Sequence, residues 1–158
     1  MLSRVLRFVR LPLVLLVIWA ALRFMMQPVF NAPYEPRGNA AFSIAAVTLV
    51  SSLIYGAMSY RVGRFSWLGT VLVGAIIGFF AQLLIFTATL VSFAAGIDTY
   101  FTHWDALNLE RGARAEMGPA MTGRAGGLIA GPIFAIIAAL IGRAVFSKLA
   151  PRCDDPAS

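Results

Sequence analysis

The stretch Leu68 to Phe93, LGTVLVGAIIGFFAQLLIFTATLVSF, contains no charged residue and exceeds the roughly 20 residues a helix needs to cross a bilayer. It reads as a membrane helix. At about 100° per residue, Thr70, Gly74, Gly78, Ala81, Gln82, Thr89 and Ser92 fall on one stripe, while Leu72, Phe79, Phe80, Leu83, Phe86 and Leu90 fall on the opposite side. One side is therefore built for protein and the other for lipid. Hydrocarbon provides no hydrophobic drive between helices, so close backbone approach and side-chain hydrogen bonds must hold them together. The stripe predicts at least one partner helix.

The remaining sequence supplies three. Arg4, Arg7 and Arg10 precede the apolar run Leu11 to Phe30. Arg23 interrupts that run and Pro33 follows it soon after, which makes a poor signal-cleavage site. The reading is an uncleaved first span over 11–30, with Pro12 near its start, where a missing N–H is tolerated and no kink is required. The loop QPVFNAPYEPRGN (27–39) is too rich in Pro, Asn and Gly to stay helical. A second span over 40–60 gathers Ala41, Ala45, Thr48, Ser52, Tyr55 and Ser59 on one face, with Phe42, Leu49, Val50 and Leu53 away from it. After a polar turn from Arg61 to Ser66, Trp67 is an interfacial anchor opening the third span, 67–93.

The outer loop, 96–124, holds the acids Asp98, Asp105, Glu110 and Glu116 among Tyr100, Phe101 and Trp104, and Thr102 to Met117 could form a short helix on the membrane surface. The fourth span, 125–143, aligns Gly127, Gly131, Ala135, Ala138 and Gly142 against Ile129, Ile133, Ile136 and Leu140, with Pro132 inside it. Gly74-xxx-Gly78 and Gly127-xxx-Gly131 are close-packing signals, and Gln82 is the polar side chain that glues the third span to a neighbour.

Composition agrees. The 158 residues are 59% hydrophobic and 13% charged, with a mean hydropathy of +0.81, which is too apolar for an ordinary soluble domain. The expected fold is all-α: a single transmembrane domain over 1–158, a four-helix membrane bundle. The net charge of +6 follows topology rather than nucleic acid, because basic residues cluster at span ends. Arg4, Arg7, Arg10, Arg61, Arg64, Arg143, Lys148 and Arg152 fall on one side, against Arg37, Arg111, Arg114 and Arg124 on the other. The positive-inside rule then places both termini in the cytoplasm of a bacterium, as a multi-pass protein of the inner membrane.

The chemistry on offer is sparse. Cys153 is the only cysteine, so an intramolecular disulfide and a CxxC pair are impossible. His103 is the only histidine, which excludes a haem held by two histidines of this chain. His103 and Asp105 are weak metal-ligand candidates, since their spacing matches no zinc signature, and a solvated loop is the simpler reading. No Asp, Glu, His or Lys lies inside a span, which disfavours a proton relay. No catalytic motif, cofactor motif or family pattern is present, so no cofactor and no catalytic residue is assigned. Arg23, about 18 Å into the membrane from Leu11 at 1.5 Å per residue, is the costly charge. Asp98 is its first candidate partner and Glu35 its second.

The function read first is a non-catalytic membrane protein that works through helix contacts, as a homo-oligomer or as a subunit or accessory of another membrane protein. The alternative is a small oligomeric channel or carrier for a neutral or anionic solute, with Gln82 and Arg23 facing the path. A membrane enzyme or metal protein using the loop around His103 ranks third.

Overall fold

The computed structural model describes residues 1–32, 34 and 43–149. Among these there are five α-helices and no strand: α1 Leu2–Phe8, α2 Arg10–Met25, α3 Ile44–Arg61, α4 Trp67–Ala95 and α5 Met117–Ile141. A 3-10 turn, Asp105–Leu107, lies in the α4–α5 loop, and a π-turn, Gly142–Phe146, follows α5. Helices α3, α4 and α5 with its π-turn are long and apolar enough to cross a membrane. The 29 residues of α4 extend about 43 Å at 1.5 Å per residue, well beyond a 30 Å hydrocarbon core.

The first segment departs from expectation. Instead of one straight helix over 11–30, α1 and α2 meet at Val9 with a bend of 55°, and only the two together are long enough to count as a fourth crossing. Pro12 explains the break. It has no N–H to donate to the Phe8 carbonyl, and its ring collides with that carbonyl in a regular helix. The chain turns at Val9, and Pro12 then occupies the first turn of a fresh helix, fully buried. At the other end α2 stops at Met25, before Pro28, and residues 26–30 continue as turns closed by Val29 N–H to Met25 O at 3.0 Å.

Helix α1 tucks beneath the α3–α4 turn. The Phe8 ring meets Tyr55 and Phe65 edge-on, each at 5.3 Å between centroids. Phe65 is buried, and Ser66 caps α4 by accepting from Gly69 N–H at 3.3 Å. We call this the turn end, and the opposite end, which carries residues 96–116, the loop end.

The main packing is backbone against backbone. A Cβ at Gly74 would sit 2.6 Å from Ile136 Cα, and one at Gly78 would sit 2.7 Å from both Pro132 Cα and Ala135 Cβ. A Cβ at Gly56 would strike the Ala139 carbonyl, and one at Gly142 the Leu53 carbonyl. Helix α5 therefore lies in contact with both α3 and α4 along its small-residue side. It runs unbroken through Pro132, whose backbone rests on Gly78. The α4 stripe is buried at Thr70, Gly74, Gly78, Ala81, Thr89 and Ser92, whereas Phe79, Leu83 and Leu90 are exposed. In α3, Thr48, Ser52 and Ser59 are buried as the pattern expects, but Ala45 is exposed; Ala41 and Phe42 lie outside the described residues. In α5 it is Ala139, rather than Ala138, that is fully enclosed.

Helix α5 begins at Met117, eight residues before the expected Ala125, so the loop is shorter than 96–124. Pro119 stands in its first turn, where proline costs nothing. The surface helix expected over Thr102 to Met117 is reduced to the 3-10 turn. This stretch lacks a steady apolar period, and buried aromatic contacts organise it instead.

Glycine contact predicts an asymmetric response to mutation. Gly78→Leu forces α4 and α5 apart and is expected to cost at least about 1–3 kcal/mol of stability. Leu83→Ala, at a side chain 42% exposed, should lie within about 0.5 kcal/mol of wild type. Thermal unfolding in mild detergent separates them, and equal losses would remove the stripe assignment.

Candidate functional site

The loop end is built from α4 outward. Gly96 ends the helix in the left-handed region at φ 63°, its N–H bonding to Phe93 O at 3.2 Å while Ile97 N–H reaches Ser92 O at 3.0 Å. Glycine adopts this reversal without steric cost. The returning chain is then stitched down by hydroxyls: Ser92 Oγ and Thr99 Oγ1 are 2.8 Å apart, Phe101 N–H donates to Thr99 Oγ1 at 3.2 Å, and Thr99 N–H donates to Thr102 Oγ1 at 3.1 Å. This turns Tyr100 and Phe101 inward, where both are buried. Asp98 is turned outward.

Tyr100 Oη donates to Ala32 O at 2.9 Å and so ties the loop to the end of the α2 segment. Its ring meets Tyr34 edge-on at 5.0 Å, and Tyr34 stacks on His103 at 4.1 Å. Into this cluster Arg23 projects from the last turn of α2, only 8% exposed. Its guanidinium carbon is 5.8 Å from the Tyr34 ring, 5.6 Å from Tyr100 and 5.7 Å from Phe101. Three ring faces stabilise a desolvated cation electrostatically, and guanidinium is the cation most often used this way.

Beneath the cage is a cavity of about 260 Å³, bordered by Arg23, Gln82, Arg124, Ile44, Ile85 and Phe101. Gln82 is the sixteenth of the 29 residues of α4 and so brings the cavity to mid-helix. Its amide lies over Gly127 and Gly131, close enough that a Cβ at Gly127 would sit 2.8 Å from Oε1, and one at Gly131 would strike Cγ. The expected packing group is therefore brought together: Gly74, Gly78 and Gln82 of α4 face Gly127, Gly131 and Ala135 of α5. Arg124 enters from α5, with Nη2 donating to Phe101 O at 3.1 Å.

Asp98 requires a correction. Expected to be buried beside Arg23, it is exposed and lines a different groove, with Ser92, Thr99 and Thr102. Burying a carboxylate costs far more than burying the neighbouring aromatic rings, so the reversal at Gly96 sends the acid out and the rings in. Glu35, the second candidate, lies outside the described residues. His103 and Asp105 do adjoin, through Asp105 N–H donating to His103 Nδ1 at 3.3 Å. Among the described residues no three of His, Cys, Asp or Glu converge on a point that could hold a metal.

Two arginines carry roles that sequence reasoning missed. Arg124 was read as a loop charge marking the outer side, yet it faces the cavity, because α5 starts a turn and more before it. Arg143 counted in sequence only as a basic residue at the end of the fourth span, yet it is 8% exposed at the turn end. Its Nη1 donates to Phe65 O at 3.0 Å and to Thr70 Oγ1 at 2.7 Å, and its guanidinium lies 4.3 Å from the Trp67 ring. The π-turn brings it there. The available signal was Arg124 standing beside a glycine-rich helical run, and Arg143 one residue after Gly142.

The cage predicts energetic coupling. In double-mutant cycles, Arg23→Leu with Tyr100→Leu should show an interaction of about 0.5–2 kcal/mol, while Arg23→Leu with Asp98→Asn should be additive. Thermal unfolding reads both cycles, and a large coupling to Asp98 alone would restore the ion pair and dismiss the cage. Compared with known protein families, curated proteins and solved structures, the chain matches none of them.

Proposed function

We propose that this chain is a non-catalytic, multi-pass membrane protein of the bacterial inner membrane, a four-helix bundle counting the bent α1–α2 pair, with both termini cytoplasmic. It acts through helix contacts, as a homo-oligomer or as a subunit or accessory of a membrane complex. One observation carries this reading: the first half of α5, before Ile129, exposes small residues on its outward side. At Gly118, Gly123 and Gly126 an added Cβ would meet nothing within 4 Å, and Thr122, Ala125 and Ala130 beside them are exposed. Small residues are poor at covering lipid tails but allow a second helix to approach backbone to backbone.

Gly126→Leu tests it. The variant should unfold within about 0.5 kcal/mol of wild type, because the side chain enters open space, but should break the complex seen by native mass measurement in mild detergent. A wild-type particle no heavier than one 17.0 kDa chain, or a complex unaffected by the change, overturns the reading.

The cytoplasmic C-terminus rests on the count of basic residues at the span ends. Cys153, outside the described residues, is the only thiol, so an impermeant maleimide should label it in inverted vesicles and not in intact spheroplasts. Labelling of spheroplasts reverses the orientation. A second reading, a small channel or carrier for an anionic solute, is favoured by the cavity at Arg23, Gln82 and Arg124.

A further inference from the structure

Helix α1 presents three different sides on only seven residues. Val5 is fully buried, as is Val9 at the bend, and Phe8 packs on Tyr55 and Phe65, so one side belongs to the bundle. Leu2 and Leu6, 57% and 44% exposed, stand four residues apart and form an apolar strip beside it. Arg4 and Arg7 are exposed on the remaining side, and Arg10 is exposed just past the bend. The 55° bend turns α1 off the α2 axis, so that it leans under the α3–α4 turn instead of continuing out of the bundle.

Contacts fix the depth of α1. The Arg4 guanidinium stands over the Phe65 ring at 5.7 Å, Phe8 meets the same ring, and Phe65 lies two residues before Trp67, which opens α4. Trp67 and Tyr60 are 55% and 58% exposed at this end, as tryptophan and tyrosine are at the headgroup level of a bilayer. A short helix at that level, with leucines on one edge and arginines on another, has the form of an interfacial helix. The charge around it is one-sided. Among the described residues every acidic side chain, Asp98, Asp105, Glu110 and Glu116, belongs to the loop end, whereas the turn end carries Arg4, Arg7, Arg10, Arg61, Arg64, Arg143 and Lys148. Arg143 is buried against Phe65 and Thr70, and Arg61 and Arg64 have interactions of their own; Arg7 and Arg10 are exposed and make no ion pair with a described residue. We propose that α1 is an interfacial helix that binds anionic phospholipid headgroups, with Arg4, Arg7 and Arg10 on the phosphates and Leu2 and Leu6 in the adjoining acyl region. A guanidinium fork matches two oxygens of a phosphodiester. A zwitterionic headgroup brings an ammonium as well, and no described carboxylate at this end receives it.

The test titrates the full chain in neutral detergent with phosphatidylglycerol, or with phosphatidylcholine of the same acyl chains, and reads the melting temperature. Phosphatidylglycerol should raise it saturably, and by more than phosphatidylcholine does. Each arginine near an anionic surface is worth about a fivefold gain in binding. Arg7→Gln with Arg10→Gln should therefore weaken the apparent affinity for phosphatidylglycerol at least about fivefold and leave the response to phosphatidylcholine unchanged. Both side chains are exposed, so in detergent alone the double variant should melt with the wild type. Leu6→Asn keeps every charge and should weaken the response to both lipids, which keeps the test decisive should the double variant fail to fold. Equal responses of the wild type to the two lipids overturn the proposal. So does a double variant that responds to phosphatidylglycerol as the wild type does, since the headgroup then sits on other basic residues of the turn end. A Leu6→Asn variant that responds to both lipids as the wild type does overturns it too, because α1 then lies outside the lipid.

Discussion

Helices α4 and α5 touch through their backbones because Gly74 and Gly78 have no Cβ, and the rest of the architecture is referred to that contact. Ile136 Cα, Pro132 Cα and Ala135 Cβ occupy the space those side chains would need. Among apolar helices in an apolar solvent, dispersion at short range and hydrogen bonds are the main attractive terms, and both need this proximity. Once α5 is pressed on α4, its other small positions fall against α3, where Gly56 and Gly142 repeat the arrangement with Ala139 and Leu53. The same contact places Gln82 over Gly127 and Gly131, and so sets the inner end of the cavity.

The two ends of the helical assembly treat charge in the same way. At the turn end Arg143 lies over Trp67 and donates to a carbonyl and a threonine hydroxyl; at the loop end Arg23 lies among Tyr34, Tyr100 and Phe101, and Arg124 donates to a carbonyl. Ring faces and carbonyl oxygens are partial charges that cost less to desolvate than carboxylates. They hold a guanidinium in place. The difference between the ends is spatial: Arg143 reaches its partners in a close-packed corner, whereas Arg23 and Arg124 border an open volume.

Hydroxyl side chains link these features. Thr48 and Thr89 return to carbonyls of their own helices at 2.7 and 2.8 Å, satisfying themselves locally. Ser59 and Thr70, 2.8 Å apart, join α3 to α4 instead, and Ser92 and Thr99 join α4 to its own loop. Which helical hydroxyls bond across elements was not visible in the pattern, since all of them lie on buried stripes and differ only in what stands opposite.

The helical class and the buried side of each long helix were legible in the residue pattern, because an apolar run must hide its backbone hydrogen bonds internally and a period of about 3.6 residues assigns faces without knowledge of neighbours. Thus Thr70, Gly74, Gly78 and Ser92 were legible as inward, and Phe79 and Leu83 as outward. The break at Val9 was half-legible: Pro12 marked the place, but a proline so near a helix start is compatible with either a straight entry or a bend, and only the packing of Phe8 on Tyr55 and Phe65 selects the bend. The fates of the charges belonged to tertiary structure. A basic residue at a span end looks the same whether it faces water or turns inward, and the choice falls to partners distant in sequence: Phe65 and Thr70 for Arg143, Phe101 for Arg124, Tyr34 and Tyr100 for Arg23. Asp98 was placed outside by the αL reversal at Gly96, a torsion that the sequence permits but that the contacts of Tyr100 and Phe101 impose.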